Sequence, residues 1–193
     1  MKRNLLISIW MTLATTVLLG IIYPLVVTLL AQWAFPRQAK GEIIHVGGKM
    51  VGSSLIGQPF TSAGYFHSRP SAAGAAGYDP DASGGGTSNL GPTNSALITR
   101  VNGDVQRLQT ENPGARIPVD LVTSSGSGLD PHVSPAAAEF QVPRVARERG
   151  MSETDVRALV AKHTEGRQLG FLGEPRVNVL ELNLELDAVR PLR

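Results

Sequence analysis

The feature that most constrains this chain is a run near the amino terminus that carries no charge. Residues 4–36 are NLLISIWMTLATTVLLGIIYPLVVTLLAQWAFP, without one Asp, Glu, Lys or Arg. A helix needs about 20 apolar residues to cross the hydrocarbon core of a bilayer, and this run is longer. A secretory signal peptide has a shorter apolar core, and no A-x-A-like cleavage site follows here. The run therefore predicts a retained transmembrane helix, with a kink at Pro24 because proline removes a backbone donor.

The charges that flank this run indicate the topology. They lie on both sides of it, at Lys2, Arg3, Arg37 and Lys40. The positive-inside rule favours a cytoplasmic amino terminus by a narrow margin. We therefore expect a cytoplasmic segment over 1–4, a transmembrane helix with its interface over 5–35, and one extracytoplasmic domain over 36–193. The expected location is the plasma (inner) membrane of a bacterium.

The rest of the sequence predicts an α/β (α+β) domain on that single N-terminal helix. EIIHVGGKMVGSSLIGQ predicts a hairpin that turns at Gly47-Gly48. NSALITRVNGDVQRLQTEN has one apolar stripe at helical spacing, whereas the β-branched residues of IPVDLVTSSG indicate a strand. The Val/Leu repeat of residues 177–187 fits either a strand or a helix.

Two further helices have clear start signals. Ser134 is the expected N-cap of a helix that has Pro135 at its first position and stops at Gly150, and Ser152 is the expected N-cap of the next helix. Pro143 should break or kink the first of them. Residues 57–92 are dominated by Gly, Ser, Ala and Pro, and we expect an ordered, irregular segment with mobile glycine-rich parts.

Several kinds of chemistry are excluded or disfavoured by the sequence. It has no cysteine, and its four histidines are scattered without a metal-ligand spacing, so no metal site is predicted. No glycine-rich loop is followed by Lys and Ser or Thr, and no G-x-S-x-G is present. A net charge of +2 and an aromatic content of 5% disfavour nucleic-acid binding. We expect no catalytic residue in this chain.

The stretch SSGSGLDPHVSP, residues 124–135, suggests a structured corner between two elements. Asp130 can accept backbone N–H groups and fix a turn, and His132 can bond locally. Gly126 and Gly128 permit backbone angles that other residues resist, so we expect alanine at either position to lower stability. A tethered hydrolase that uses Ser127 or His132 is a remote alternative, because it needs an acidic partner on His132.

A series of longer motifs resembles one family. LIGQPF, YFHSRPSAA, SNLGPTNSALI, PVDLVTSSGSGLDPHVSPAAAEFQVPRVARERG and VNVLELNLELD occur in this order. Together they resemble the C subunits of bacterial Kdp-type potassium-transporting P-type ATPases. The resemblance runs from the N-terminal span nearly to the end of the chain, although SGGGTSNLGPTN is richer in glycine and threonine than the family pattern.

The resemblance implies a non-catalytic accessory subunit of a high-affinity, ATP-driven potassium uptake pump. Its partners would be an ATPase subunit, a channel-like potassium-translocating subunit, a very small subunit and membrane lipid, with no nucleic acid. Members of this family are described as catalytic chaperones that raise the affinity of the ATPase subunit for ATP. This makes ATP a cofactor of the complex and points to four nucleotide-related candidates: Gln141, Ser83, Gly84 and Gly85.

Residues of the matching motifs are further candidates for structural or partner-contact roles. They are Arg69, Asn89, Pro92, Asn94, Asp120, Gly126, Gly128, Asp130 and His132. An extracytoplasmic domain cannot reach cytoplasmic ATP, so an effect on ATP affinity would have to pass through the membrane helix or through outer contacts. The alternative function is a membrane-tethered extracytoplasmic binding or assembly module unrelated to ion transport.

Overall fold

The computed structural model describes residues 1–75, 77–79 and 88–192. The chain forms two compact units, Met1–Val51 and Gly52–Arg193.

The first unit is dominated by one long helical stretch. Helix α1 (Lys2–Val17) runs through a π-helical turn (Leu18–Ile22) into α2 (Tyr23–Ala34), and the short α3 (Pro36–Ala39) follows. None of the residues of α1, the π turn or α2 is buried. By length and composition, the stretch Lys2–Ala34 is able to cross a membrane.

The departure from regular α-helix occurs just before the proline at which the sequence predicts a kink. Pro24 lies in the first turn of α2, directly after the π turn. Proline lacks the N–H of a regular helical bond, and a wider turn is one way to accommodate that loss. Beyond α3, strands β1 (Ile43–Val46) and β2 (Lys49–Ser53) pair. Gly47 (φ +58°) and Gly48 (φ +79°) form the turn between them, which confirms the predicted hairpin.

In the described part of the second unit, four helices pack around a small sheet. Strand β5 (Arg176–Asn178) lies between β3 (His132–Val133) and β4 (Thr164–Glu165) and is antiparallel to both. The elements are α4 (Ser95–Glu111), a 3₁₀ turn (Val119–Leu121), β3 (His132–Val133), α5 (Pro135–Arg149), α6 (Glu153–Lys162), β4 (Thr164–Glu165), β5 (Arg176–Asn178) and α7 (Val179–Val189). The core consists mainly of valine, leucine and alanine from these elements, together with the fully buried Phe66.

The predicted helix caps are confirmed. The Ser134 hydroxyl accepts a hydrogen bond from the N–H of Ala137, the Ser152 hydroxyl accepts one from Asp155, and Gly150 ends α5 in a left-handed conformation. Helix α5 continues through Pro143, so of the predicted break or kink the break is wrong. The N–H that Pro143 lacks would have bonded the carbonyl of Glu139; the amide of Asn112 donates to the next carbonyl along the helix, that of Phe140 (3.0 Å).

The strand predicted over IPVDLVTSSG is also wrong. Val119–Leu121 is a 3₁₀ turn, and no strand includes residues 117–126. The carboxylate of Asp120 accepts hydrogen bonds from the backbone N–H (2.7 Å) and the hydroxyl (3.1 Å) of Ser134. This contact between residues 14 positions apart fixes the turn, and the β-branched composition of the stretch gave no sign of it.

The ambiguity over residues 177–187 arises because the stretch contains both structures. Strand β5 ends at Asn178, and α7 begins at Val179. The Asn178 side chain caps the helix by accepting from the N–H of Glu181 (3.2 Å), and it donates to the carbonyl of Ser54 (2.8 Å). Within the irregular segment 57–92, the described residues form neither helix nor strand.

Candidate functional site

The described part of the irregular segment is held by side chains rather than by a sheet. The amide of Gln141, on α5, accepts from the backbone N–H of His67 (2.7 Å) and donates to the carbonyl of the same residue (3.1 Å). Asn183, on α7, makes the same pair of bonds with Phe66, both 2.9 Å long. Each side-chain amide therefore supplies the donor and the acceptor that a neighbouring strand would offer.

Two arginines of α5 complete this arrangement. Arg144 donates to the carbonyls of Ala63 and Tyr65, and Arg149 donates to the carbonyl of Gly64 (2.6 Å). The five consecutive carbonyls of residues 63–67 thus all accept from side chains of α5 or α7. We call the four donors, Gln141, Arg144, Arg149 and Asn183, the polar clamp.

Each buried arginine of the polar clamp forms an ion pair with a carboxylate. Arg144 pairs with Glu111 of α4 (2.7 Å), and the Arg149 side chain, 0% exposed, pairs with Asp187 of α7 (2.9 Å). Arg149 also donates to the carbonyl of Arg190 (2.6 Å) and lies over the ring of Tyr65, 4.8 Å from its centroid. A buried guanidinium is stable only with such partners, so the polar clamp ties α4, α5 and α7 to the irregular segment.

Gln141, the main nucleotide-related candidate, has no free hydrogen-bonding capacity. Its residue is 1% exposed. Besides its two bonds to His67, its Nε2 donates to the carbonyl of Ala137 (3.2 Å) and its Oε1 accepts from Arg144 (2.7 Å). A glutamine amide has two N–H groups and two acceptor lone pairs, and all four are in use. Ser83, Gly84 and Gly85 lie outside the described residues.

A cleft of about 430 Å³ lies beside the polar clamp. Its charged and aromatic lining includes His67, Arg69, Tyr78, Asp104, Arg107 and Glu111. Burial and, next, the nearby Arg144 lower the pKa of His67, so its ring is neutral at pH 7. Burial also raises the pKa of Tyr78 to about 12. The Asp104 carboxylate is paired with Arg100 (3.1 Å), so the cleft offers no unpaired acid at that position.

Three of the candidate residues meet at the corner that precedes β3. The guanidinium of Arg69 pairs with Asp130 (3.0 Å), and Asp130 accepts from the backbone N–H of His132 (3.0 Å). Burial alone would raise the pKa of the Asp130 carboxyl, but hydrogen bonds from His132 together with the Arg69 charge outweigh it and hold this pKa below its usual value. Asp130 therefore stays ionised and holds the turn, as the sequence predicts.

Glycine is required at one position of this corner rather than two. Gly128 has φ +69°, and its carbonyl accepts from the hydroxyl of Ser71 (2.6 Å). Gly126 has no positive φ, and a Cβ added there would meet nothing within 4 Å. Only Gly128 is held in a conformation that L side chains rarely adopt.

The corner does not assemble a hydrolase among the described residues. His132 Nδ1 does lie 3.5 Å from Asp130, so an acidic neighbour is present, although this is longer than a normal hydrogen bond. The hydroxyl of Ser127, however, accepts from the N–H of Leu129 (3.1 Å) and faces the hydroxyl of Ser125 (3.4 Å). No hydrogen bond joins Ser127 to His132 in the described chain, so the geometry gives no activated nucleophile.

The remaining candidates have local roles. Asn94 caps α4 by accepting from the N–H of Ala96 (2.8 Å), and Asp120 supports the N-cap of α5 through Ser134. Asn89 is exposed with φ +50°, and Pro92 is exposed in a turn. In the described ranges, no group of three or more His, Cys, Asp or Glu is placed to hold a metal ion.

Sequence reasoning missed three members of the polar clamp: Arg144, Arg149 and Asn183. Asn183 carried a usable signal, because a lone asparagine within the apolar repeat VNVLELNLELD must satisfy its amide if that face is buried. The two arginines carried none, since most arginines on helices are exposed and these are buried only through tertiary packing.

The fold and the site together define a class of protein. It has one helix long enough to span a membrane and a folded domain in which the polar clamp holds an irregular segment, and its described residues include no group of three or more His, Cys, Asp or Glu placed to hold a metal ion. The sequence profile of the family KdpC, described as the c chain of the K⁺-transporting ATPase, matches residues 5–188. The chain belongs to this family of potassium-pump subunits.

Individual relatives are similar to this chain over nearly all of its length. The potassium-transporting ATPase KdpC subunit of Koribacter versatilis (strain Ellin345) is 65% identical over 192 residues, which cover 100% of this chain and 98% of the relative. The KdpC subunit of Rhodopseudomonas palustris (strain BisB18) is 54% identical, with coverage of 98% and 100%. That of Methylococcus capsulatus (Bath) is 56% identical, with coverage of 95% and 96%.

Proposed function

We propose that this chain is a non-catalytic accessory subunit of a high-affinity, ATP-driven potassium uptake pump. One N-terminal helix anchors it in the membrane, and its folded domain assembles outside the cytoplasm with the pump's ATPase, channel-like and small subunits. Membership of the KdpC family carries the proposal. The long apolar helix Lys2–Ala34, uncharged from Asn4 onward, supports the membrane anchor.

We further propose that this accessory protein raises the ATP affinity of the pump without touching the nucleotide. The observation that supports this proposal is the environment of Gln141: its amide is buried, and all of its hydrogen-bonding capacity is used within the domain. A ligand could bind the amide only by displacing one of its present partners, which are His67, Ala137 and Arg144. The effect on ATP is therefore indirect: the assembled accessory protein favours one state of its partners, and ATP is bound by the ATPase subunit alone.

Isolation of the complex tests the accessory role. When the tagged full chain is purified from membranes of cells that express the whole pump, it should bring down the other subunits and potassium-stimulated ATPase activity. Deleting its gene should impair growth only at low external potassium. A chain that purifies alone, with normal growth of the deletion strain at low potassium, would favour the unrelated assembly module and contradict the proposal.

Topology tests the indirect effect on ATP. The chain has no cysteine, so Ser88→Cys, at an exposed position of the domain, gives a single label site. The matched control is Lys2→Cys at the amino terminus. A membrane-impermeant thiol reagent should label position 88 in intact cells and position 2 only after permeabilisation. The reverse pattern would place the domain in the cytoplasm, where it could contact ATP directly.

A further inference from the structure

The segment that follows the long helix of the first unit leaves apolar side chains in water. Phe35 is 62% exposed, and in the hairpin of β1 and β2 the exposed fraction is 48% for Ile43, 53% for Val46 and 69% for Met50. None of these four side chains belongs to the hydrophobic core of the described residues. We call residues 35–51 the juxtamembrane segment, because they directly follow the helix that is able to cross a membrane.

An ordered, hydrogen-bonded connection joins the hairpin to that helix. The N–H of Phe35 donates to the carbonyl of Ala31 in α2 (2.8 Å), and α3 begins at the next residue. After α3, the N–H of Glu42 donates to the carbonyl of Arg37 (3.1 Å), and β1 begins at Ile43. The hairpin is therefore held at the end of the membrane-length helix.

The length of the helix brings this end to the surface of a bilayer. As a helix, the 33 residues of Lys2–Ala34 are about 50 Å long. A bilayer with its headgroups is about 40–45 Å thick, so a helix that spans it with some tilt ends at the headgroup level. Trp33, in the last turn of α2, then lies where tryptophan is enriched in membrane proteins, and the hairpin lies beside the headgroups.

The juxtamembrane segment is also positively charged. It contains Arg37, Lys40 and Lys49 and one acid, Glu42. Among the described residues, none of these three cations forms an ion pair. Residues 52–193 hold 13 Lys or Arg and 15 Asp or Glu, so the net positive charge is confined to the first unit.

The tip of the hairpin has apolar side chains on both of its faces. A two-residue turn places Val46 opposite Lys49, so these two side chains share one face. Met50 follows Lys49 in the strand, and its side chain therefore points to the other face. A flat protein surface would cover only one of these faces, whereas lipid around an immersed tip covers both.

We propose that the juxtamembrane segment binds the headgroup region of an anionic bilayer. Val46 and Met50 enter the lipid on the two faces of the hairpin, while Lys40 and Lys49 bind the headgroups of anionic phospholipids. Basic and apolar side chains together are typical of such interfacial binding, and unpaired cations favour an anionic surface over a neutral one. This inference rests on the membrane anchor of the proposed function and adds to it a lipid class and the residues that bind it.

A single fluorescent label measures the contact. His45→Cys, at an exposed position of β1, gives the cysteine-free full chain one site for an environment-sensitive fluorophore. The labelled chain is reconstituted in vesicles of phosphatidylcholine, part of which carries a nitroxide quencher on its headgroup, with or without phosphatidylglycerol. Quenching should be about threefold stronger with phosphatidylglycerol at about a quarter of the lipid than without it.

Two charge variants of the labelled chain form a matched pair. Lys40→Gln combined with Lys49→Gln should abolish the effect of phosphatidylglycerol, because it removes the cations that bind the headgroups. Arg116→Gln combined with Arg147→Gln removes the same charge from exposed positions of the second unit and should leave the effect unchanged. These side chains are exposed, so neither change should disturb folding.

The outcomes are distinct. Equal quenching in the two kinds of vesicle, or an unchanged effect of phosphatidylglycerol in the lysine variant, would show that the hairpin is only tethered near the membrane and overturns the inference. The labelled, assembled pump should give the same quenching, and its loss there would show that a protein subunit covers the hairpin, which also overturns the inference.

Flotation of the vesicles after a carbonate wash tests the anchor separately. The chain should float with the lipid. A chain that floats but shows no effect of phosphatidylglycerol overturns the inference while the proposed function stands. Release of the chain by carbonate would mean that the membrane anchor fails, and the inference fails with it.

Discussion

Gln141 and Asn183 bond two consecutive residues of one extended segment in the same manner. Gln141, on α5, holds the N–H and the carbonyl of His67, and Asn183, on α7, holds those of Phe66. Successive residues of an extended chain direct their backbone groups to opposite sides, so the two amides replace the two neighbours that an inner strand would have. An irregular segment can thereby be buried without joining a sheet.

The first prediction concerns the Gln141 side chain, whose amide takes the place of a neighbouring strand. Gln141→Leu should lower the free energy of unfolding by about 2–4 kcal/mol, because it leaves the backbone groups of His67 without partners in a buried site. The matched control, Gln106→Leu on the exposed face of α4, should change it by less than about 0.5 kcal/mol. Urea unfolding of the full chain in detergent, followed by circular dichroism, measures both. A stable Gln141→Leu variant whose pump has a raised KM for ATP would instead support direct nucleotide contact.

The second prediction compares two arginines of α5. Arg149 is 0% exposed at its side chain and binds three separate groups, whereas Arg147 is 68% exposed. Lysine has no fork of donors, so Arg149→Lys should destabilise the chain by about 2–3 kcal/mol. Arg147→Lys should have almost no effect. Equal unfolding midpoints for the two variants in the same urea experiment would refute the part assigned to Arg149 in the polar clamp.

The third prediction separates the two glycines of the corner before β3. Gly128→Ala should lower stability by about 1 kcal/mol, because alanine must adopt φ +69° there. Gly126→Ala should leave stability unchanged or raise it slightly, since its backbone is not left-handed and its surroundings are open. Thermal unfolding of the two variants decides the matter, and a larger loss at Gly126 would show that this account of the corner is wrong.

The fourth prediction concerns pH. The pKa of His67 in the folded chain is lowered from the value of about 6.5 expected on unfolding. Folding therefore disfavours the protonated ring, so the stability associated with the neutral ring is complete above pH 6.5 and decreases as the pH falls below it. His67→Gln should reduce the fall in unfolding temperature between about pH 7.5 and pH 5.5. His45→Gln, at an exposed strand position, is the control, and an unchanged pH dependence in His67→Gln would contradict the prediction.

Local signals in the sequence were enough for much of the architecture. Hydropathy predicted the membrane-length helix, because a long uncharged run has few other stable states. Ser134 and Ser152 predicted helix starts, and Gly47-Gly48 predicted the hairpin turn, because caps and tight turns depend on residues within a few positions. The resemblance to KdpC rested on motif order, and it held along nearly the whole chain.

Tertiary structure decided the features that depend on distant partners. In IPVDLVTSSG, a bond between Asp120 and Ser134 holds a 3₁₀ turn where the composition predicts a strand, and α5 continues through Pro143. The polar clamp joins residues 74 to 117 positions apart, which no local pattern encodes. A buried hydrogen bond is formed when packing excludes water from both of its groups at once. The sequence alone therefore determined where helices begin, which segment can enter a membrane and which family the chain resembles, whereas only the folded domain decided that the amide of Gln141 is buried and fully hydrogen-bonded.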